Sequence, residues 1–191
     1  MTRTITTPIG RYFAVNDLVI AKDVAFNIIN RVRVEPAGCG TCHGALHPSI
    51  GIGTHYLALC GIKNEVVVYS LIYGSVGIEF TRTSSISTTL DPATQHKDII
   101  NAGSGELVVP GLDDIYVSNC MTGEATDRIA HLKSIPSTGT LQFVHEISSS
   151  GLLPCMMVVS DTGGALLVAM QDGPLGVSVL RRPPLSSLVT D

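Results

Sequence analysis

The chain has 191 residues, 45% of them hydrophobic and only 15% charged, with a formal net charge of −4 and a mean hydropathy of +0.34. That length is enough for one domain to bury a core without disulfides or a metal. With no run of Lys or Arg beyond Arg31, Arg33 and the pair Arg181-Arg182, a phosphate-neutralising nucleic-acid binder is excluded as the main reading.

The first residues, Met1 to Arg11, carry Thr and Pro where a signal peptide would be apolar, and no apolar run approaches a membrane span. Residues 1–24 read as an N-terminal extension. Asn16 to Ile29 fits both a helical and a strand period in part. Val32 and Val34 then alternate with Arg31, Arg33 and Glu35 until Pro36, the pattern of a strand. Gly38 to Gly53 reads as a long Gly-rich loop. Val66 to Tyr73 is a continuous apolar run suited to a strand buried on both faces, and Val76, Ile78 and Phe80 alternate with polar residues after Gly74. Thr81 to Asp98 reads as a second long loop.

Asp91-Pro92 offers a helix start with Gly103 as a stop, and Thr122 to Leu132 places Ala125, Ile129 and Leu132 on one helical face. Short strands are expected at Leu107–Pro110, Ile115–Val117, from Leu141 and Phe143, at Cys155–Val159, at Ala165–Met170 and at Leu175–Leu180. The last two are joined by the turn Gln171-Asp172-Gly173-Pro174. Pro183-Pro184 cannot extend a sheet and should lead the tail, 185–191, away to a neighbour. The whole reads as a single all-β domain with one to three short helices in its connections.

Three constellations could carry chemistry. Cys39-Gly40-Thr41-Cys42-His43 has the spacing of covalent haem attachment, and Cys39 and Cys42 could also hold half of a zinc site completed by His43, His47, His55 or Cys60. Neither has the rest of its motif, so the expectation is five free thiols and no metal or cofactor. Asp161-Thr162-Gly163-Gly164 has the form of the nucleophile turn of chymotrypsin-like proteases, with Thr162 as nucleophile and His55 as its base. No Asp completes a triad, and a turn between two strands explains the segment as well. His96, His131 and His145 stand isolated, and Asp113-Asp114 reads as a turn pair. No catalytic, cofactor-binding or metal residue is therefore assigned.

Taken in order, several segments resemble the jelly-roll coat proteins of picornavirus-like viruses. Phe26 to Pro36 is similar to an early strand of that family, Ile72-Tyr73-Gly74-Ser75-Val76-Gly77-Ile78-Glu79-Phe80 to a central one, and Glu106 to Pro110 to a later one. Gly139 to Phe143, Leu153 to Val159, Leu166 to Met170 and Leu175 to Pro184 are similar to its closing pattern. The resemblance implies an eight-stranded antiparallel jelly-roll sandwich. By the same resemblance the chain is a structural capsid subunit and no enzyme. It would assemble with related jelly-roll subunits around an RNA genome without a basic arm, with a possible host receptor and no membrane partner. Its place would be the virion, and the host cytoplasm during assembly. The alternatives are a chymotrypsin-like viral protease using Thr162 and a metal-stabilised β-sandwich binding module.

Overall fold

The computed structural model describes residues 4–7, 10–15, 18–22, 27–47, 53–74, 77–90, 102–108, 113–135 and 138–182, with 4–22 and 102–108 given as backbone. Among the described residues, fifteen strands form four separate antiparallel sheets, and every sheet contains only strands consecutive in the chain. The first holds β1 (Thr4–Thr7), β2 (Gly10–Val15), β3 (Leu18–Lys22) and β4 (Ile28–Arg33). The second holds β5 (Thr41–His47), β6 (His55–Cys60), β7 (Glu65–Gly74) and β8 (Gly77–Ser87). The third holds β9 (Ala102–Val108), β10 (Asp114–Cys120), β11 (Arg128–Ile135) and β12 (Thr140–Ser148). The fourth holds β13 (Leu152–Val159), β14 (Ala165–Asp172) and β15 (Val177–Arg181).

The sheets follow one another in a radial series. The first strands β1, β5, β9 and β13 touch in succession, and the last strands β4, β8 and β12 touch in succession. Each sheet therefore runs outward from a common inner line, with its first strand innermost.

Three layers of core fill the gaps. Val34, Leu46, Tyr56, Ala58, Val67, Tyr69, Leu71 and Ile78 form the layer on the first-sheet side of the second sheet. Leu57, Leu59, Val66, Val68, Ile115, Val117, Ala130 and Leu132 join the second sheet to the third. Tyr116, Ile129, Met157, Leu166, Val168 and Met170 join the third to the fourth. Along β7 the side chains alternate between two cores, Val67, Tyr69 and Leu71 on one and Val66 and Val68 on the other. That is why this stretch is apolar without interruption, as a strand covered on both faces must be.

Polar ties cross each junction. Asn30 Nδ2 donates to the carbonyl of Ile78 at 2.5 Å between the first two sheets. Between the second and third, Thr88 Oγ1 donates to Asn119 Oδ1 at 2.8 Å and Asn119 Nδ2 donates to the carbonyl of Thr88 at 2.7 Å. Ser118 Oγ donates to the carbonyl of Pro154 at 3.0 Å between the third and fourth.

This architecture overturns the jelly-roll expectation. A jelly roll is two facing sheets whose strands pair across long stretches of sequence. Here each strand pairs with its immediate successor, in four sheets. Alternating apolar residues report a strand and its buried face, and they are silent on which strand lies beside it. The charge-poor composition likewise comes from sheets buried on two faces, with no need of coat-protein contacts.

The expected helix at Thr122–Leu132 is a turn followed by β11. Asp127 organises that turn by accepting from Thr122 N and Thr122 Oγ1, both at 2.9 Å, and from Leu153 N at 2.7 Å. Ile129 and Leu132, read as one helical face, belong to cores on opposite sides of the sheet. The ambiguous stretch Asn16–Ile29 contains β3 and the start of β4. Both expected long loops carry strand, β5 within 38–53 and most of β8 within 81–98. The Asp91-Pro92 helix start and the tail 185–191 lie outside the described residues.

Candidate functional site

Polar residues gather at the end of the sheets that carries the β5–β6, β9–β10 and β13–β14 turns. His47 closes the innermost strand β5 and stands opposite His55, the first residue of β6. The turn is held by Thr54 N donating to the carbonyl of His47 at 3.1 Å. His47 is only 3% exposed, and its Nδ1 finds no hydrogen-bond partner among the described residues. Burial lowers its pKa below the ordinary 6.5, the nearby Asp113 pulls it back up, and His55 lowers it again.

His55 is also lowered by burial. Its Nδ1 shares a hydrogen bond with Thr54 Oγ1 at 3.0 Å, and its ring lies against Gly139 in the β11–β12 turn. Two imidazoles held neutral at neutral pH, one of them beside a carboxylate, can each accept a proton.

The neighbouring residue, Asp114, anchors a second network. His131 Nε2 hydrogen-bonds to Asp114 Oδ1 at 2.7 Å. Register places Tyr116, His131 and His145 in one row across β10, β11 and β12. The His131 ring stacks on Tyr116 with centroids 4.9 Å apart and meets His145 edge-on at 5.0 Å. Arg182, which follows β15, is buried and reaches into this row. It donates from Nε to Tyr116 Oη at 2.8 Å, from Nη1 to the carbonyl of Gly163 at 2.5 Å and from Nη2 to Asp114 Oδ2 at 2.7 Å.

Desolvation lowers the pKa of His131 against the opposing pull of Asp114, and burial raises that of Tyr116 against Arg182. With all three guanidinium nitrogens engaged within the protein, Arg182 works as a clamp between sheets. The pair His47–His55 keeps ring nitrogens for other work.

The residues singled out by sequence fare differently. Cys39 and Cys60 are joined in a disulfide, which corrects the expectation of five free thiols. Antiparallel β5 and β6 bring the start of one against the end of the other, pairing Thr41 with Cys60. Cys42, three residues after Cys39, instead directs its thiol to the carbonyl of Leu59 at 3.8 Å. The Cys-x-x-Cys sulfurs thus go separate ways, so the metal-stabilised module built on them has no support.

Thr162 sits in the β13–β14 turn with its hydroxyl 3.4 Å from Ser160 Oγ, while His55 lies in the second sheet with Thr54. The two side chains belong to different sheets and each bonds to a neighbour in its own segment, so the protease reading has no support. Asp114, His131, Tyr116 and Arg182 were not recognised as a group. Asp114 and Tyr116 lie on β10, His131 on β11 and Arg182 just after β15, so only strand register and sheet packing bring them together.

Comparison with known proteins agrees with the radial series. Residues 5–191 match the model of a family described as Lactonase, 7-bladed beta-propeller. The periplasmic gluconolactonase PpgL of Pseudomonas aeruginosa is 18% identical and superposes with a TM-score of 0.77 over 95% of this chain and 50% of its own. A protein from Lactobacillus plantarum is 18% identical, with a TM-score of 0.74 over 96% of this chain and 52% of its own. The chain therefore spans about half the length of these structures, and at that identity the likeness shows the propeller fold. No curated protein matches the chain. The family match and the fold together overturn the coat-protein reading, its partner subunits and packaged RNA, and its place in a virion. The expectation of a non-enzymatic chain falls with them, since the matched family is one of lactonases.

Proposed function

This chain belongs to the seven-bladed β-propeller lactonase family, and on that premise we propose that it forms part of a ring that hydrolyses the ester bond of a sugar lactone. The observation that carries the reading is the pair His47–His55 facing across the inner β5–β6 turn with Asp113 nearby. Propeller rings enclose a central channel, and the innermost strands border it.

Lactone opening needs a base for water and an acid for the leaving oxygen. A neutral imidazole of the pair takes a proton as the water oxygen bonds to the carbonyl carbon, giving a tetrahedral intermediate. The bond from that carbon to the ring oxygen then breaks, and the imidazolium returns its proton to the leaving alkoxide. The product is the open hydroxy acid, with no atom left over. Asp113 favours the transient imidazolium by its charge. The clamp of Arg182, Asp114 and His131 holds the third and fourth sheets so that this end keeps its shape.

The test is hydrolysis of glucono-δ-lactone by the 191-residue protein, followed by acid release at constant pH. His47→Gln and His55→Gln should each lower kcat by roughly a hundredfold, the lower range for a general base. Catalysis left unchanged by both substitutions, or a wild-type protein that does not accelerate lactone opening, would overturn the reading.

A further inference from the structure

The β5–β6 turn ties down the backbone of Thr54 and gives its hydroxyl one partner. Thr54 N donates to the carbonyl of His47 at 3.1 Å, and the carbonyl of Thr54 accepts from Leu71 N on β7 at 2.8 Å. The carbonyl just before it, of Gly53, accepts from Tyr73 Oη at 2.6 Å. From that anchored position Thr54 Oγ1 meets His55 Nδ1 at 3.0 Å. The other ring nitrogen, Nε2, has no hydrogen-bond partner among the described residues. A Cβ on Gly139 would stand 2.3 Å from Nε2, 2.5 Å from Cδ2 and 2.9 Å from Cε1. The first two distances are nearly equal, which places Gly139 over the ring face. A neighbour on the in-plane lone pair of Nε2 would be much nearer the nitrogen than either carbon. Gly139 therefore leaves that edge of the ring clear.

Burial keeps the His55 ring neutral at neutral pH, so one nitrogen carries a proton and the other a lone pair. Which is which is set by the bond made at the far side of the ring. A threonine hydroxyl can accept an N–H as well as donate its own proton, and Thr54 is exposed, so that proton can go to water. We infer that Thr54 is a positioning residue of the lactone reaction: its Oγ1 accepts the Nδ1–H of His55 and so leaves the Nε2 lone pair as the base that takes a proton from water. This rests on the lactone reading and names the nitrogen that reacts. Without the bond, a histidine in water favours the opposite form, protonated on Nε2, in which that nitrogen cannot act as a base. An uncharged partner also orients the ring without drawing a proton onto it, so the imidazole stays neutral and able to accept one.

Thr54→Val keeps the branched shape and removes the hydroxyl, while Thr54→Ser keeps the hydroxyl and removes the methyl. Nitrogen-15 NMR of the 191-residue protein at about pH 8, above the ordinary histidine pKa, should show His55 with a protonated Nδ1 and a bare Nε2. Thr54→Ser should give the same spectrum. In Thr54→Val the ring should shift towards the form protonated on Nε2, with an unchanged far-ultraviolet circular dichroism spectrum. On glucono-δ-lactone, Thr54→Val should lower kcat by roughly tenfold with KM unchanged, less than loss of the base itself because the ring still visits the reactive form. Thr54→Ser should keep most of the wild-type rate. A wild-type His55 protonated on Nε2, a Thr54→Val ring that holds its proton on Nδ1, or a Thr54→Val kcat equal to wild type would overturn the inference. A wild-type protein without lactone turnover would overturn the lactone reading, while the nitrogen spectra would still decide the bond between Thr54 and His55, so the two can fail separately.

Discussion

Arg182 and Asp114 form a buried ion pair across the boundary between the third and fourth sheets, with Nη2 donating to Oδ2 at 2.7 Å. Asp114 uses its other oxygen on His131, and Arg182 uses its other nitrogens on Tyr116 and Gly163. Removing one partner of such a pair leaves a desolvated charge without compensation, which costs about 3–5 kcal/mol. Arg182→Ala should therefore lower unfolding free energy by about that amount in urea titration. Arg182→Lys should recover only part of the loss, because an ammonium cannot reproduce the three-directional fork.

The same end of the molecule should make stability depend on pH. His47, His55 and His131 all have folded-state pKa values below the ordinary 6.5, each chiefly through burial. A group whose pKa is lowered on folding binds fewer protons folded than unfolded, so acid favours the unfolded chain. The contribution is fully present above about pH 6.5 and shrinks as pH falls through and below that value. Thermal melts should show a constant Tm from pH 8 to 7 and a falling one from pH 6.5 to 5. His55→Gln should flatten part of that slope. A Tm that rises on acidification in this window would contradict the assignment.

Part of the strand set was legible in the sequence, from β7 and β8 to β10 and β12 to β15, whereas β1 to β3, β5 and β11 read as an extension, a loop and a helix, and strand partnership was not legible. Val66 to Tyr73 reads directly as a doubly covered strand, and β7 is one. β10, β12, β13, β14 and β15 each contain the residues that announce them. The segment Gly38 to Gly53, by contrast, looks like a loop because Gly and small residues dominate it, yet β5 is the innermost strand of its sheet. Its Gly44 is needed there, since a Cβ would collide with the Tyr56 hydroxyl. The pairing His47–His55 follows from that unseen strand, so the candidate site was hidden with it. The similarity of short strand segments to a coat protein misled for the same reason: alternation is shared by every all-β fold.

The disulfide closes a segment of 21 residues that contains β5, the β5–β6 turn and β6. In the chain-entropy account a crosslink over such a loop restricts the unfolded state by about 3 kcal/mol. Cys39→Ser with Cys60→Ser should lower unfolding free energy by up to that amount. Under denaturing, non-reducing conditions a maleimide should label the three thiols Cys42, Cys120 and Cys155, with two more becoming reactive after reduction.

Gly139 joins the stability of a turn to the geometry of the proposed base. Its φ of +66° is one that L side chains rarely adopt, and a Cβ there would enter the His55 imidazole at Nε2. The turn itself is fixed by Thr138 N and Gly139 N, which both donate to the carbonyl of Ile135, at 3.1 and 2.8 Å. Gly139→Ala must therefore accept the left-handed conformation, at about 1 kcal/mol, and must push the imidazole aside. Three consequences should appear together: unfolding free energy falls by about 1–3 kcal/mol once crowding is added, the His55 ring resonances shift in the NMR spectrum, and lactone turnover drops towards that of His55→Gln. Thr138→Ala is the control, because it keeps both backbone bonds to the Ile135 carbonyl and removes only the hydroxyl's links to Thr140. If Gly139→Ala lost stability while its His55 resonances and turnover matched wild type, the ring would not be held by this turn, and His55 would lose its place in the proposed reaction.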